Sequence, residues 1–203
     1  MGGSMKIAVK NLVTFCLLFL LAGCATRVGS SQKLTGYNVK LENLAVVYSE
    51  WKPEHEGMGK KLERYNFQNM GEYMAKAAPH TFPNYGISAS VFTRTADSGD
   101  PSPKEKQILF ISPVEAETTG HKGLFGEVAV SGGPSTDPVK VKYEVTMFDA
   151  LINKEVWNAD FSIVAGGLLY SAFDEEKAAG FLNDILGKLE ADGLAQKIQS
   201  AQK

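Results

Sequence analysis

The sequence predicts an α+β fold: a two-layer sandwich in which a mostly antiparallel sheet of four to six strands carries two helices. Three observations predict it. Short runs with strand periodicity recur along the chain between turn-forming clusters. Apolar stripes at helical spacing occur twice, once after the first strand and once at the C-terminus. The composition, 44% apolar and 22% charged over 203 residues, suffices to bury one real core. No period of about 20–50 residues repeats, which excludes a solenoid.

The first strand is Leu44-Ala45-Val46-Val47-Tyr48-Ser49-Glu50-Trp51, apolar and β-branched, ended by Pro53. Phe67, Met70, Met74 and Ala77 then fall at i, i+3, i+7 and i+10, flanked by Leu62 and Tyr73. That spacing predicts one helix from Met58 to Ala78, stopped by Pro79. Ile87 to Phe92 alternates as a half-buried strand, and Asp97 to Pro103 is a loop by its Pro, Gly and Asp content. Gln107 to Ser112, with Ile108-Leu109-Phe110-Ile111, is a continuous apolar run suited to a central strand covered on both faces.

Glu115 to Pro138 is rich in glycine and holds Glu127-Val128-Ala129-Val130 as a short strand candidate. Val139 to Met147 alternates cleanly, Asp149 to Lys154 makes a turn, and Glu155 to Val164 reads as the returning strand of a hairpin. In the last helix, Ala178, Phe181, Leu182, Ile185, Leu186 and Leu189 form a single apolar stripe. Ser171 and Asp174 have capping-box spacing, and Asp174-Glu175-Glu176 puts negative charge at the favourable end of the helix dipole. Gly193 as C′ makes Leu194 and Leu189 the contact pair of a Schellman ending. Gly180 and Gly187, inside the helix, suggest close approach by a neighbouring element.

The N-terminus reads as a processing signal rather than as part of the fold. Lys6 and Lys10 mark a short positive stretch, Leu12 to Leu21 is an apolar run interrupted only by Thr14, and Ala22-Gly23-Cys24 follows. A run of about ten apolar residues suits a secretory leader and falls short of the ~20 that span a bilayer. Leu21-Ala22-Gly23-Cys24 resembles the lipobox of bacterial lipoproteins. The resemblance implies cleavage before Cys24, acylation of that cysteine, and attachment to a membrane through it. Ala25, rather than Asp, after the cysteine implies the outer membrane, facing the periplasm, over the inner membrane. The organisation expected is a leader over 1–23, an acylated flexible tether over 24–41, and one domain over 42–198. Cys16 leaves with the leader and Cys24 is consumed by lipid, so the folded part has no thiol for a disulfide, a metal or nucleophilic catalysis.

Charge excludes another class. The formal net charge is −2, and loss of Lys6 and Lys10 with the leader leaves −4. Phosphate binding needs a clustered basic excess, so a nucleic-acid partner is not expected.

Gly57-Met58-Gly59-Lys60 lies where a phosphate cradle would sit, but Glu54 and Lys61 stand where a P-loop needs Gly and Ser or Thr. His55, between Glu54 and Glu56, has no second histidine at metal-ligand spacing, and neither has His80 or His121. Glu115 and Glu117 are a candidate carboxylate pair. No Gly-x-Ser-x-Gly elbow occurs. No catalytic residue, metal or cofactor is therefore expected. Trp51 and Trp157, with Tyr48, Phe92, Phe125 and Phe161, are read as core before they are read as a binding face. The most suggestive stretch is Gly166-Gly167-Leu168-Leu169-Tyr170, an apolar loop where polar residues are the rule, and it is the candidate partner-binding segment.

The hairpin's Asp149, Lys154 and Trp157, followed by an amphipathic helix ending Ala191-Asp192-Gly193-Leu194, is similar in layout to curli-secretion-related, penicillin-binding-protein-activator and DUF4136-type lipoprotein domains. The resemblance spans about residues 40–196 and implies binding or assembly rather than catalysis. Two roles follow as expectations: a non-enzymatic adaptor for an envelope protein complex, or a carrier or sensor of a small or lipidic ligand.

Overall fold

The computed structural model describes residues 26–50, 56–95, 101–119, 137–166 and 171–198. Among them six strands form one sheet in the order β1-β6-β5-β4-β2-β3. The strands are β1 (Thr26–Lys33), β2 (Asn43–Ser49), β3 (Ser88–Arg94), β4 (Gln107–Thr118), β5 (Val139–Asp149) and β6 (Lys154–Ala165). The helices are α1 (Glu56–Arg64), α2 (Met70–Thr81) and α3 (Glu175–Ala191). β1, β6, β5 and β4 pair antiparallel, whereas β2 is parallel to both β3 and β4. The helices between β2 and β3 return the chain to its starting end, as a parallel pair requires. The sheet is thus mixed and mostly antiparallel, and the α+β class is as the sequence predicts.

β1 and β5 begin, and β2, β3, β4 and β6 finish, toward the same end of the sheet, the end of Thr26. At the opposite end lie Lys33, Asn43, Ser88, Gln107, Asp149 and Lys154.

The helices cover one face. Val139, Val141, Tyr143, Val145 and Met147 of β5 alternate inward with Trp157, Ala159, Phe161, Ile163 and Ala165 of β6. Phe181 of α3 packs on them, tilted against Tyr143 at 5.3 Å and edge-on to Phe161 at 5.7 Å. The whole apolar stripe of α3 is buried. Its N-cap is Asp174, which accepts from the Lys177 amide, so the capping-box reading of Ser171 with Asp174 gives way to Asp174 alone. Its ending is the Schellman motif the sequence predicts: Leu194 N–H donates to Leu189 C=O at 2.8 Å, Gly193 N–H to Glu190 C=O at 2.9 Å, and Gly193 has φ +79°. Gly180 and Gly187 have open space where a Cβ would point, so close packing is not their role.

Four further expectations are corrected. The single helix over 58–78 is two, because Asn66 takes a left-handed conformation (φ 62°) and a 3-10 turn over Phe67–Asn69 re-aims the chain. The stripe residues Leu62, Phe67, Met70, Met74 and Ala77 are nevertheless buried. Pro79 does not stop α2: it sits in the last turn, and the helix runs to Thr81 and into a second 3-10 turn, Phe82–Tyr85. β4 is not covered on both faces: Gln107, Leu109 and Ile111 are buried while Ile108 and Phe110 are half-buried, the alternation of a sheet with helices on one side. Finally, the flexible tether of 24–41 overlaps a strand, since Thr26–Lys33 pairs with β6 from Thr26↔Ile163 to Lys33↔Trp157.

Asp192, just after α3, holds β1 in place. Its Oδ2 accepts from Ser31 Oγ at 2.6 Å and from Trp157 Nε1 at 2.7 Å, while its backbone oxygen accepts from Lys33 Nζ at 2.7 Å. Burial pushes the Asp192 carboxyl up, but the hydrogen bonds from Ser31 and Trp157 and the charges of Lys188 and Lys33 outweigh it and hold the group below the usual carboxylate range. The chain past Lys33 is docked as well, with Tyr37 and Leu41 buried. The candidate strand over 127–130 lies outside the described residues.

Candidate functional site

The end of the sheet farthest from Thr26 carries a groove built on a buried carboxylate. Asp149 closes β5, and its Oδ1 accepts from the Leu151 amide at 2.9 Å, the i→i+2 bond by which Asp shapes a turn. Its Oδ2 accepts from Tyr37 Oη at 2.7 Å and from Gln107 Nε2 at 3.3 Å. Burial raises the Asp149 carboxyl, but these donors outweigh it, and the group is held ionised below its ordinary value. The same burial, together with the Asp149 bond, pushes the Tyr37 phenol well above its ordinary value, so Tyr37 keeps the proton it donates. Three stretches remote in sequence are thereby fixed to one another: the approach to β2, the start of β4 and the β5–β6 turn. The Ala150 amide adds a bond to the Lys106 carbonyl at 2.8 Å.

Val39, Lys40, Glu42, Asn43, Lys104, Glu105, Lys106, Gln107 and Leu151 line the groove, which is open and has a volume of about 580 Å³. Three lysines face two glutamates, a local positive balance on a chain whose net charge is negative. Its rim is apolar where turns are ordinarily polar. Leu151 is 67% exposed, Ile152 48% and Val39 45%, and Leu34 stands exposed at the same end of the sheet. Ile198 is also exposed near this end, its amide donating to the Asn84 carbonyl. Clustered exposed apolar groups rimmed by charge mark a contact surface more often than scattered ones do.

The residues singled out from the sequence do not converge here. Cys24 and Gly167-Leu168-Leu169-Tyr170 lie outside the described residues, as do His55, His121, Trp51 and Phe125. Of the candidate partner segment, Gly166 alone is described. It has φ +86°, the Tyr65 ring packs so tightly on it that a Cβ would lie 2.1 Å from Tyr65 Cζ, and its amide donates to the Ser171 carbonyl at 3.4 Å. Tyr48, Trp157 and Phe161 are core, while Phe92 is half-buried on the edge strand β3. His80 is exposed at the end of α2. Gly57 and Gly59 fall inside α1 rather than in a loop before it, so the phosphate-cradle geometry does not form.

Glu115 and Glu117 are not a paired acid and base. They stand on the helix-free face opposite β5, where Glu115 takes Lys142 Nζ at 2.6 Å and Glu117 takes Lys140 Nζ at 2.8 Å. The Lys140 bond and charge hold Glu117 below its ordinary value, the reverse of what a general acid needs. Among the described residues no group of three or more His, Cys, Asp or Glu is placed to hold a metal ion. No described helix is long and apolar enough to cross a membrane.

The sequence signal for the groove was the pair Leu151-Ile152 in a turn. Its other walls come from positions tens of residues away, which no local pattern links.

No family model matches the chain, and no curated protein matches it. Among solved structures it is similar to the PelC dodecamer from Paraburkholderia phytofirmans, with 15% identity over 86% of this chain and 99% of that one, at a TM-score of 0.36. It is also similar to lipoprotein GNA1162 from Neisseria meningitidis, with 16% identity over 74% of this chain and 98% of that one, at a TM-score of 0.38. At these TM-scores neither likeness assigns a role to this chain.

Proposed function

We propose that the chain is a non-enzymatic lipoprotein of the bacterial envelope, acylated at Cys24, most simply in the outer membrane, that acts as an adaptor for an envelope protein partner. The observation that carries the adaptor reading is the groove far from Thr26, with its exposed rim of Val39 and Leu151 and the exposed Ile152 next in the chain. A rim of this kind gains by burial against another protein, at about 25 cal/mol per Å² of apolar surface covered. Asp149, Glu115 and Glu117 are engaged in structural bonds rather than poised for proton transfer, which supports a binding role over a catalytic one.

Leu151→Asp and Val39→Asp test this reading, because both residues are exposed and neither substitution disturbs the core. Affinity purification from gently solubilised envelopes should recover a stoichiometric protein with the unaltered chain. Each variant should recover severalfold less while unfolding at the same temperature. Equal recovery by all three chains would remove the groove from the proposal.

A carrier role is the second reading, favoured by the groove's volume, which lies in the ~300–1,000 Å³ range of small-molecule sites. Native mass spectrometry separates the two: a co-purifying small molecule lost on Leu151→Asp supports the carrier, and a protein lost on it supports the adaptor.

A further inference from the structure

From where β1 begins, we infer that the acylated domain sits directly on the membrane surface, end-on, with the Thr26 end of its sheet against the lipid headgroups. This rests on the acylation of Cys24 proposed above and adds an orientation to it.

β1 starts at Thr26, so Ala25 is the single residue between the lipid-bearing Cys24 and the folded edge strand. Two residues of extended chain reach about 7 Å, less than the diameter of one helix. The strand cannot easily peel away to lengthen that reach. Its far half is fixed by Ser31, Lys33 and Trp157 to Asp192, and its near half is paired from Thr26↔Ile163 to Val28↔Phe161. A flexible tether of eighteen residues would have let the domain tumble some ~20 Å above the bilayer, by the scaling of flexible linkers. One residue does not.

The polarity of the sheet then fixes what faces the membrane and what faces away. The Thr26 end holds the last residues of β4 and β6 and the first of β5. In the half of the sheet nearer that end, Arg27 and Val28 of β1 and Val114 of β4 line a shallow concavity with Lys140 and Lys142 of β5, and both valines are exposed. The groove with Leu151 lies beyond the other end of β5; Val114 stands level with Lys142, and the seven residues from there to Asp149, at ~3.3 Å each, separate the two levels by about 23 Å. The short link therefore presents the groove to the periplasm at a set height, and a partner must meet it there. Val28 and Val114 lie on the membrane-proximal side, while Leu34, Val39, Leu151 and Ile152 lie on the distal side.

The test is energy transfer from a donor dye on the acylated full chain to acceptor-labelled headgroups in vesicles of phosphatidylethanolamine and phosphatidylglycerol. With Cys24 acylated, Val114→Cys or Leu151→Cys supplies a unique thiol at an exposed site. Transfer from position 114 should be severalfold greater than from position 151. Inserting ten Gly/Ser residues between Ala25 and Thr26 should shrink that contrast. A chain that floats with the vesicles and shows equal transfer from both positions overturns the seating and leaves the anchor intact. A chain that fails to float, like Cys24→Ala, overturns the anchor and the seating together.

Discussion

Asp192→Ala is the substitution through which the link between β1 and the core can be measured. In the folded chain the Asp192 carboxylate accepts from Ser31 Oγ and from Trp157 Nε1, and the indole is almost fully buried. Removing the carboxylate leaves the indole N–H without that acceptor in a site poor in water. An unsatisfied buried donor costs about 1–3 kcal/mol, and the lost charge-assisted bond from Ser31 adds about 1 kcal/mol, so the total is about 2–4 kcal/mol. Trp157→Phe removes the donor instead and leaves Asp192 with Ser31. Combining the two removes the indole donor and its acceptor together, so the double variant should be less destabilised than the sum by about 1–2 kcal/mol. The packing loss of Trp157→Phe appears on both sides of the cycle and cancels. Urea unfolding of the Cys24→Ala chain made without residues 1–23 gives all four free energies. Amide exchange at Thr26–Lys33 should accelerate in Asp192→Ala before exchange at β5 does, because β1 is an edge strand with one neighbour. Additive free energies, or unchanged exchange in β1, would refute the account of Asp192 as the clamp.

Other expectations follow from single contacts. Gly166→Ala places a Cβ against the Tyr65 ring at φ +86° and should cost about 2–4 kcal/mol, read as a fall of roughly 5–10 °C in Tm; an unchanged Tm would show that the ring gives way freely. Acid should destabilise the fold, because Asp149, Asp174 and Asp192 each have a folded-state pKa below the ordinary value: burial raises them, and hydrogen bonds from Tyr37, Lys177 and Ser31 respectively outweigh it. Groups depressed in this way contribute stability that is present above the unfolded value of ~3.9 and is lost as pH falls through the folded values. The urea midpoint should hold level from about pH 7 to 5 and drop below about pH 4, with a shallower drop in Asp192→Asn. Cys24→Ala should leave a larger, unacylated precursor; normal processing and membrane attachment would remove the anchor from the account.

What the sequence made legible was what local periodicity encodes. The stripe of α3, its Schellman ending at Gly193 and the β5–β6 hairpin are each specified within a few residues, and the structure follows them. β1 was illegible because an edge strand needs no apolar face of its own. Thr26–Lys33 is polar, and its hold on the core comes from Asp192, 161 residues from Ser31. The break at Asn66 was hidden because the apolar spacing runs on through it, so periodicity alone could not see the change of direction. The parallel pairing of β2 with β4 rests on contacts across some sixty residues, to which local pattern is blind. The groove shares that cause. Leu151-Ile152 are two apolar residues in what reads only as a turn, and Tyr37 and Gln107 become its supports only when the fold brings them to Asp149.

The central claim is that the end of the sheet remote from Thr26 meets a protein partner in the envelope. Photo-cross-linking in intact cells tests it most directly, with the photoreactive residue placed at Leu151 in one acylated chain and at Val114 in another. The account predicts one discrete, stoichiometric protein adduct from position 151, absent from position 114 and lost when Val39→Asp is added. Adducts of equal yield from both positions, or none from position 151 in a chain that is acylated and folded, would contradict it.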